Sequence, residues 1–156
     1  MSETEAFLAS VLPRLTAADT ALHNADVSLR KAMWSRTEPL TLFGAAMMTT
    51  GWPAIEATFD WLGTSFSDCT AFEIEVVAAG ASGDLAYLVA FEHITAAIDG
   101  KAPAPYTLRV TTMFRREAGE WQAVHRHADH LPDGGTATER LSALGRSEEG
   151  ESHGPS

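Results

Sequence analysis

The chain has 156 residues, enough for one domain that buries roughly two-thirds of its unfolded surface without metal or disulfide support. Twenty-one acidic residues against eleven basic ones give a net charge of −10, which argues against a nucleic-acid surface and leaves no basic stretch for a membrane. A single cysteine, Cys69, excludes an intramolecular disulfide framework and a cysteine metal cluster.

The first residues, MSETEAFLASVLPRL, lack a basic leader region, and no apolar run approaches the roughly 20 residues of a membrane span. The expected location is the cytoplasm. Residues 1–132 are expected to form the domain, and residues 133–156, rich in Gly, Ser and Glu, a flexible C-terminal tail with at most one helical turn near 138–144.

In chain order, residues 3–34 read as helical, with Leu8, Leu12, Leu15, Asp19 and Leu22 at three- and four-residue spacing. Pro13 should kink or restart that helix. Asp26 should cap a second short helix reaching Trp34. Leu40-Thr41-Leu42-Phe43 reads as a short strand ended by Gly44, and residues 45–50 as a loop. Gly51 to Phe66 is the clearest helix, with Trp52, Ile55, Phe59, Leu62 and Phe66 on one stripe that is expected to be core. From Phe72 the period becomes two. Strands are expected up to the Gly80–Asp84 turn, then over Leu85–Ala97, Tyr106–Arg116 and Trp121–Asp129. Helices followed by an antiparallel meander make an α+β arrangement with the helices on one face of the sheet.

The last strand concentrates the chemistry. Alternation places Trp121, Ala123, His125, His127 and Asp129 on one face. A three-residue hairpin loop at Glu117-Ala118-Gly119 would put His125 opposite Thr111 and His127 opposite Arg109. A closure about Gly100-Lys101 would pair Glu92 with Arg109. Together these predict a polar row of Glu92, Arg109 and His127, beside Thr111, Met113, Leu88, Ala90 and Ala123 on the pocket side. The other side, with Tyr87, Val89, Phe91, Leu108, Val110, Phe114 and Val124, is apolar and expects a second subunit over it.

Two chemistries suit that row. His125 or His127 could act as a general base tuned by Glu92 or Asp129, with Arg109 stabilising an oxyanion, as in isomerase, lyase or cyclase chemistry on a small organic molecule. Without chemistry, Arg109 would hold a small carboxylate through paired hydrogen bonds, with the histidines as orienting donors. A third alternative is a dimeric packing module with a relict pocket. No cofactor is called for. Gly119 followed by His125-x-His127 starts like a cupin metal motif, but Asp129-His130-Leu131-Pro132 stands where its glutamate would follow, so no metal is expected. Cys69 beside Asp68 is a poor nucleophile.

Longer runs carry a family resemblance. Leu108-Arg109-Val110-Thr111, Phe114-Arg115-Arg116, Gly119-Glu120-Trp121 and Val124-His125-Arg126-His127-Ala128-Asp129 resemble the C-terminal half of SnoaL-like proteins. Trp34-Ser35, Leu42-Phe43-Gly44, Gly51-Trp52 and Gly83-Asp84-Leu85-Ala86-Tyr87 match earlier stretches in the right order, so the resemblance spans residues 15–132. The last strand is also similar to the association domain of calcium/calmodulin-dependent kinases. The resemblance implies the nuclear-transport-factor-2-like (cystatin-like) α+β roll: a cone-shaped curved antiparallel sheet wrapped around the N-terminal helices, a pocket in its mouth, and homodimers made through the sheet. On that basis Trp34 and Met113 join Arg109 and Thr111 as expected ligand contacts. The resemblance carries no activity. Ketosteroid isomerase works with one tyrosine and two carboxylates, and this chain offers only Tyr87 and Tyr106.

Overall fold

The computed structural model describes residues 1–44, 47–132 and 134–151; the start of the loop expected at 45–50 and the end of the expected tail lie outside the described residues. In chain order the elements are α1 (Glu3–Leu22), α2 (Ser28–Ala32), β1 (Thr41–Gly44), β2 (Met47–Thr50), α3 (Trp52–Ser65), β3 (Phe66–Ser82), β4 (Leu85–Ile98), β5 (Ala104–Glu117), β6 (Glu120–His130) and α4 (Ala137–Glu151). The six strands form one curved sheet in the order β2-β1-β6-β5-β4-β3. Helices α1 to α3 fill its inner side, so the class is α+β as expected.

Helix α1 starts on a capping box, in which the Glu5 amide donates to Ser2 Oγ at 3.1 Å and the Ser2 amide to the Glu5 carboxylate. Pro13 does not divide it. The proline removes one hydrogen bond, but Phe7, Val11, Leu15, Ala18 and Leu22 are buried along one face, and that packing outweighs the loss. Phe7 meets Phe114 and Trp121 edge-on, each at 5.3 Å between ring centroids. Asp26 is not the cap of α2: Val27 holds the N-cap position without a side-chain hydrogen bond, and Asp26, one residue earlier, accepts from the Ser28 amide at 3.0 Å and from its hydroxyl at 2.7 Å, closing the turn into the helix.

The sheet is not wholly antiparallel. Strand β1 joins β6 in parallel, with Thr41 opposite His125 and Phe43 opposite His127. Gly44 permits this junction, because a Cβ there would lie 2.0 Å from the Ala128 carbonyl oxygen. Residues 47–50, expected as loop, form β2 instead and pair with β1. The expected helical turn near 138–144 is the 15-residue helix α4, on which Leu141 and Leu144 are exposed.

Two local features decide which side chains enter the core. The β5–β6 hairpin turns on two residues, Ala118 (φ 50°) and Gly119 (φ 81°), so Glu117 faces Glu120 and Arg116 faces Trp121, one step from the expected pairing. Further along, Met113 faces His125 while Phe114 faces Ala123, leaving Val124 as an extra residue in β6. A bulge of this kind breaks the two-residue period. Trp121 and Ala123 therefore point inward before it, and Arg126 points inward after it. His125, His127 and Asp129 point outward.

Strand β4 closes on β5 with Phe91 opposite Arg109 and Glu92 opposite Leu108, again one step from the expected register. Glu92 is consequently buried with Leu88 and Ala90, while Arg109 and Met113 are exposed on the outer face. Val110 and Phe114, expected on the apolar outer side, are core residues. The predicted Glu92–Arg109–His127 row is not formed, since its first member lies on the opposite face from the other two.

Candidate functional site

Inside the cone, polar groups stand where a plain core would be apolar. Asp19, His23, Arg30, Glu92, Thr112 and Arg126 are all buried, Asp19 completely and Arg126, the most accessible, to 8%. Helix α1 supplies Asp19 from the middle of its buried stripe, and His23 follows one turn later at its C-cap. Helix α2 supplies Arg30, its one buried residue. Strand β4 gives Glu92, β5 gives Thr112 and half-buried Tyr106, and β6 gives Arg126, directly across from Thr112.

The charges are matched one to one. Arg126 holds Glu92 through two parallel hydrogen bonds, Nη1 to Oε2 at 2.9 Å and Nη2 to Oε1 at 2.8 Å. Arg30 pairs with Asp19 and also lies 5.4 Å from the centre of the Phe59 ring. Burial alone would raise the Glu92 carboxyl, but the Arg126 charge and its hydrogen bonds, with help from Arg30 and His23, hold it below the usual carboxylate range. Burial lowers the Arg30 guanidinium to about 9, with nearby Arg126 adding to the effect, and it stays charged at neutral pH.

His23 and Tyr106 form a neutral pair between these charges. His23 Nδ1 lies 2.6 Å from the Asp19 carbonyl oxygen, which can only accept, so Nδ1 carries the proton. Nε2, 2.6 Å from Tyr106 Oη, then accepts from the phenol. Burial pulls His23 down to about 4; Glu92 opposes this and Arg126 adds to it. Burial, followed by Glu92, pushes the Tyr106 phenol well above its usual value. Phe66 stacks on Tyr106 at 6.4 Å and lies 4.4 Å from the His23 ring. Beside the cluster, Leu15, Arg30, Met33, Trp34, Thr112, Ala123 and Arg126 enclose a cavity of about 10 Å³, which is room for about one water. Of the expected site residues, Glu92 and Trp34 are at this interior site.

The other expected residues are brought together on the outer face. Rows across the sheet place Tyr87, Met113 and His125 together, then Val89, Thr111 and His127, then Phe91, Arg109 and Asp129. Thr41 Oγ1 lies 2.7 Å from His125 Nδ1, and His127 Nε2 lies 3.0 Å from Asp129 Oδ2. Phe43 stands edge-on to both imidazoles, at 5.8 and 6.2 Å. His125 is lowered by partial burial and then by His127. Among the described residues no group of three His, Cys, Asp or Glu side chains is placed to hold a metal, and no helix is long and apolar enough to cross a membrane.

Asp19, His23, Arg30, Tyr106, Thr112 and Arg126 were not singled out as site residues from sequence. One signal was available: Asp19 occupies a core position of the apolar stripe, and a charge there needs a buried partner.

Comparison with known proteins fits this architecture. The SnoaL-like domain family matches residues 11–131, most of the chain. The chain belongs to that family. No curated protein matches it. Among solved structures, this SnoaL-like chain is similar to a ketosteroid isomerase-like protein from Erwinia carotovora atroseptica, with 21% identity over 81% of this chain and 97% of that one, at a TM-score of 0.64. An NTF2-like protein of unknown function from Pseudomonas putida gives 21% identity, 85% and 92% coverage and a TM-score of 0.67. A putative calcium/calmodulin-dependent protein kinase type II association domain from Thiobacillus denitrificans gives 22%, 82%, 94% and 0.60. At such identities the likeness establishes the fold alone.

Proposed function

We propose that this SnoaL-like chain is a small-molecule pocket protein that binds an uncharged polar ligand at the interior cluster of His23, Arg30, Glu92, Tyr106, Thr112 and Arg126. The observation that carries this is the pair of buried ion pairs, Glu92–Arg126 and Asp19–Arg30, in a core that could have been apolar. Buried ion pairs contribute little net stability, and apolar groups of like volume often do as well or better. Their presence beside a small cavity and a histidine with a strongly shifted pKa supports a functional role for the cluster. Among the described residues each interior charge stands in an ion pair, although neither Asp19 carboxylate oxygen accepts a hydrogen bond. A charged ligand would strand one of them at a cost of several kcal/mol, whereas a neutral one need not. Because the cavity is small, entry requires movement of Trp34, Met33 or the five-residue α2.

Binding is favoured over acid–base catalysis because the enclosed groups are far from neutrality. A general acid or base works best with a pKa near the working pH. His23 is pulled to about 4 and Tyr106 is pushed up, so both remain neutral. The enzyme reading, isomerase or lyase chemistry on a small organic molecule, would draw on His125, His127 and Asp129, which here line an open face.

The test is a calorimetric screen of small uncharged alcohols, phenols and ketones, repeated on Tyr106→Phe and Thr112→Val. Loss of one hydrogen bond predicts about tenfold weaker binding in each variant. Unchanged affinity in both would remove the interior site.

We further propose that two copies pair through the outer sheet face. Leu85, Tyr87 and Met113 are 58%, 44% and 43% exposed there, beside Val77, and monomers rarely leave such patches uncovered. Sedimentation should show a dimer that Tyr87→Asp with Met113→Asp converts to monomer; a monomeric wild type contradicts this.

A further inference from the structure

The outer face also holds a groove of about 410 Å³, within the range of roughly 300–1,000 Å³ usual for small-molecule pockets. Val77, Val89 and Phe91 form its apolar side, and Arg109, Thr111, His127 and Asp129 its polar side, with the Asp129 carboxylate 3.0 Å from His127 Nε2. Its hollow comes from the sheet's irregularities. A second register break, between Val76 and Ala78, leaves Val77 as the extra residue of β3, on the far wall from the bulged strand β6.

Arg109 is the feature that asks for an occupant. Arg14, Arg36, Arg115, Arg116 and Arg126 each donate to an oxygen of the chain. Among the described residues, the Arg109 guanidinium has no such partner. Asp129 is its cross-strand neighbour, yet the carboxylate is held by His127 instead. A guanidinium presents paired N–H donors that match a carboxylate in geometry and charge. The neighbouring Thr111 hydroxyl adds a third donor, and the wall of Val77, Val89 and Phe91 would take an apolar tail.

We propose that this groove is a second binding site, specific for a small carboxylate with an apolar tail and anchored by Arg109. It does not depend on the interior site, and because it shares Val77 and the outer face with the proposed pairing of two copies, an acid seated there competes with that pairing.

Octanoate and benzoate are suitable probes, with octanamide and benzamide as uncharged controls, titrated by calorimetry or NMR. The acids should bind saturably and the amides at least tenfold more weakly. Arg109→Gln, a change at an exposed side chain, should reduce acid binding at least tenfold without altering thermal stability, and Phe91→Ala should weaken octanoate. Sedimentation of the same samples separates the site from dimerisation, because an acid that merely followed association would bind Arg109→Gln dimers equally well. No saturable binding of either acid, or equal affinity in wild type and Arg109→Gln, overturns the proposal.

Discussion

Removing either half of the Glu92–Arg126 pair should destabilise the fold by about 3–5 kcal/mol, the usual consequence of leaving one buried charge alone. Both side chains are nearly inaccessible and share two hydrogen bonds, so Glu92→Leu strands a guanidinium and Arg126→Leu strands a carboxylate. Against a total stability of about 5–15 kcal/mol, each single variant would be close to unfolding. The double variant Glu92→Leu with Arg126→Met should recover most of the loss, and could exceed wild type by about 1–4 kcal/mol. Urea titrations of the four proteins measure this directly. Single variants that lose less than about 1 kcal/mol would show that water reaches the pair.

Acid should unfold the chain through His23. Its folded-state pKa lies near 4, below the ordinary 6.5, because burial disfavours the charged ring. Between those values the unfolded chain binds a proton that the folded chain refuses, so stability falls as pH falls from about 6.5 to about 4. The depression from 6.5 to about 4 corresponds to about 3 kcal/mol, most of it lost by pH 4, with no slope from this group above about pH 7. Glu92, lowered in the fold, adds a further loss with the same sign at still lower pH. Replacing His23 with Gln removes the proton uptake, so its urea midpoint should change much less across this window. An equal slope in wild type and His23→Gln would assign the acid sensitivity to other groups.

Much of the architecture was legible because its signals are local. The stripe of Trp52, Ile55, Phe59 and Leu62 marks α3, and the alternation in β4 separates Leu88 and Ala90 from Val89 and Phe91. The β1–β6 junction was not legible, since parallel pairing of a four-residue strand leaves no local pattern. The site failed for a sharper reason. One extra residue, Val124, exchanges the faces of β6 partway along, and one step of register in each hairpin moves Arg109 outward and leaves Glu92 inside. Arg126, between the two histidines, is therefore the residue of that segment that enters the core. Helix α1 carried the complementary hint in Asp19, whose partner Arg30 lies eleven residues on and is brought to it by the turn into α2.

Side-chain ¹⁵N NMR of the histidine and arginine groups reads ligand binding at the interior polar cluster. His23 should appear as the neutral tautomer protonated at Nδ1 even at pH 5.5. Adding an uncharged ligand from the screen should shift His23 Nε2 and the Arg126 guanidinium while leaving His125 and His127 unmoved. A charged His23 at that pH, or ligand shifts confined to His125 and His127, would contradict the account.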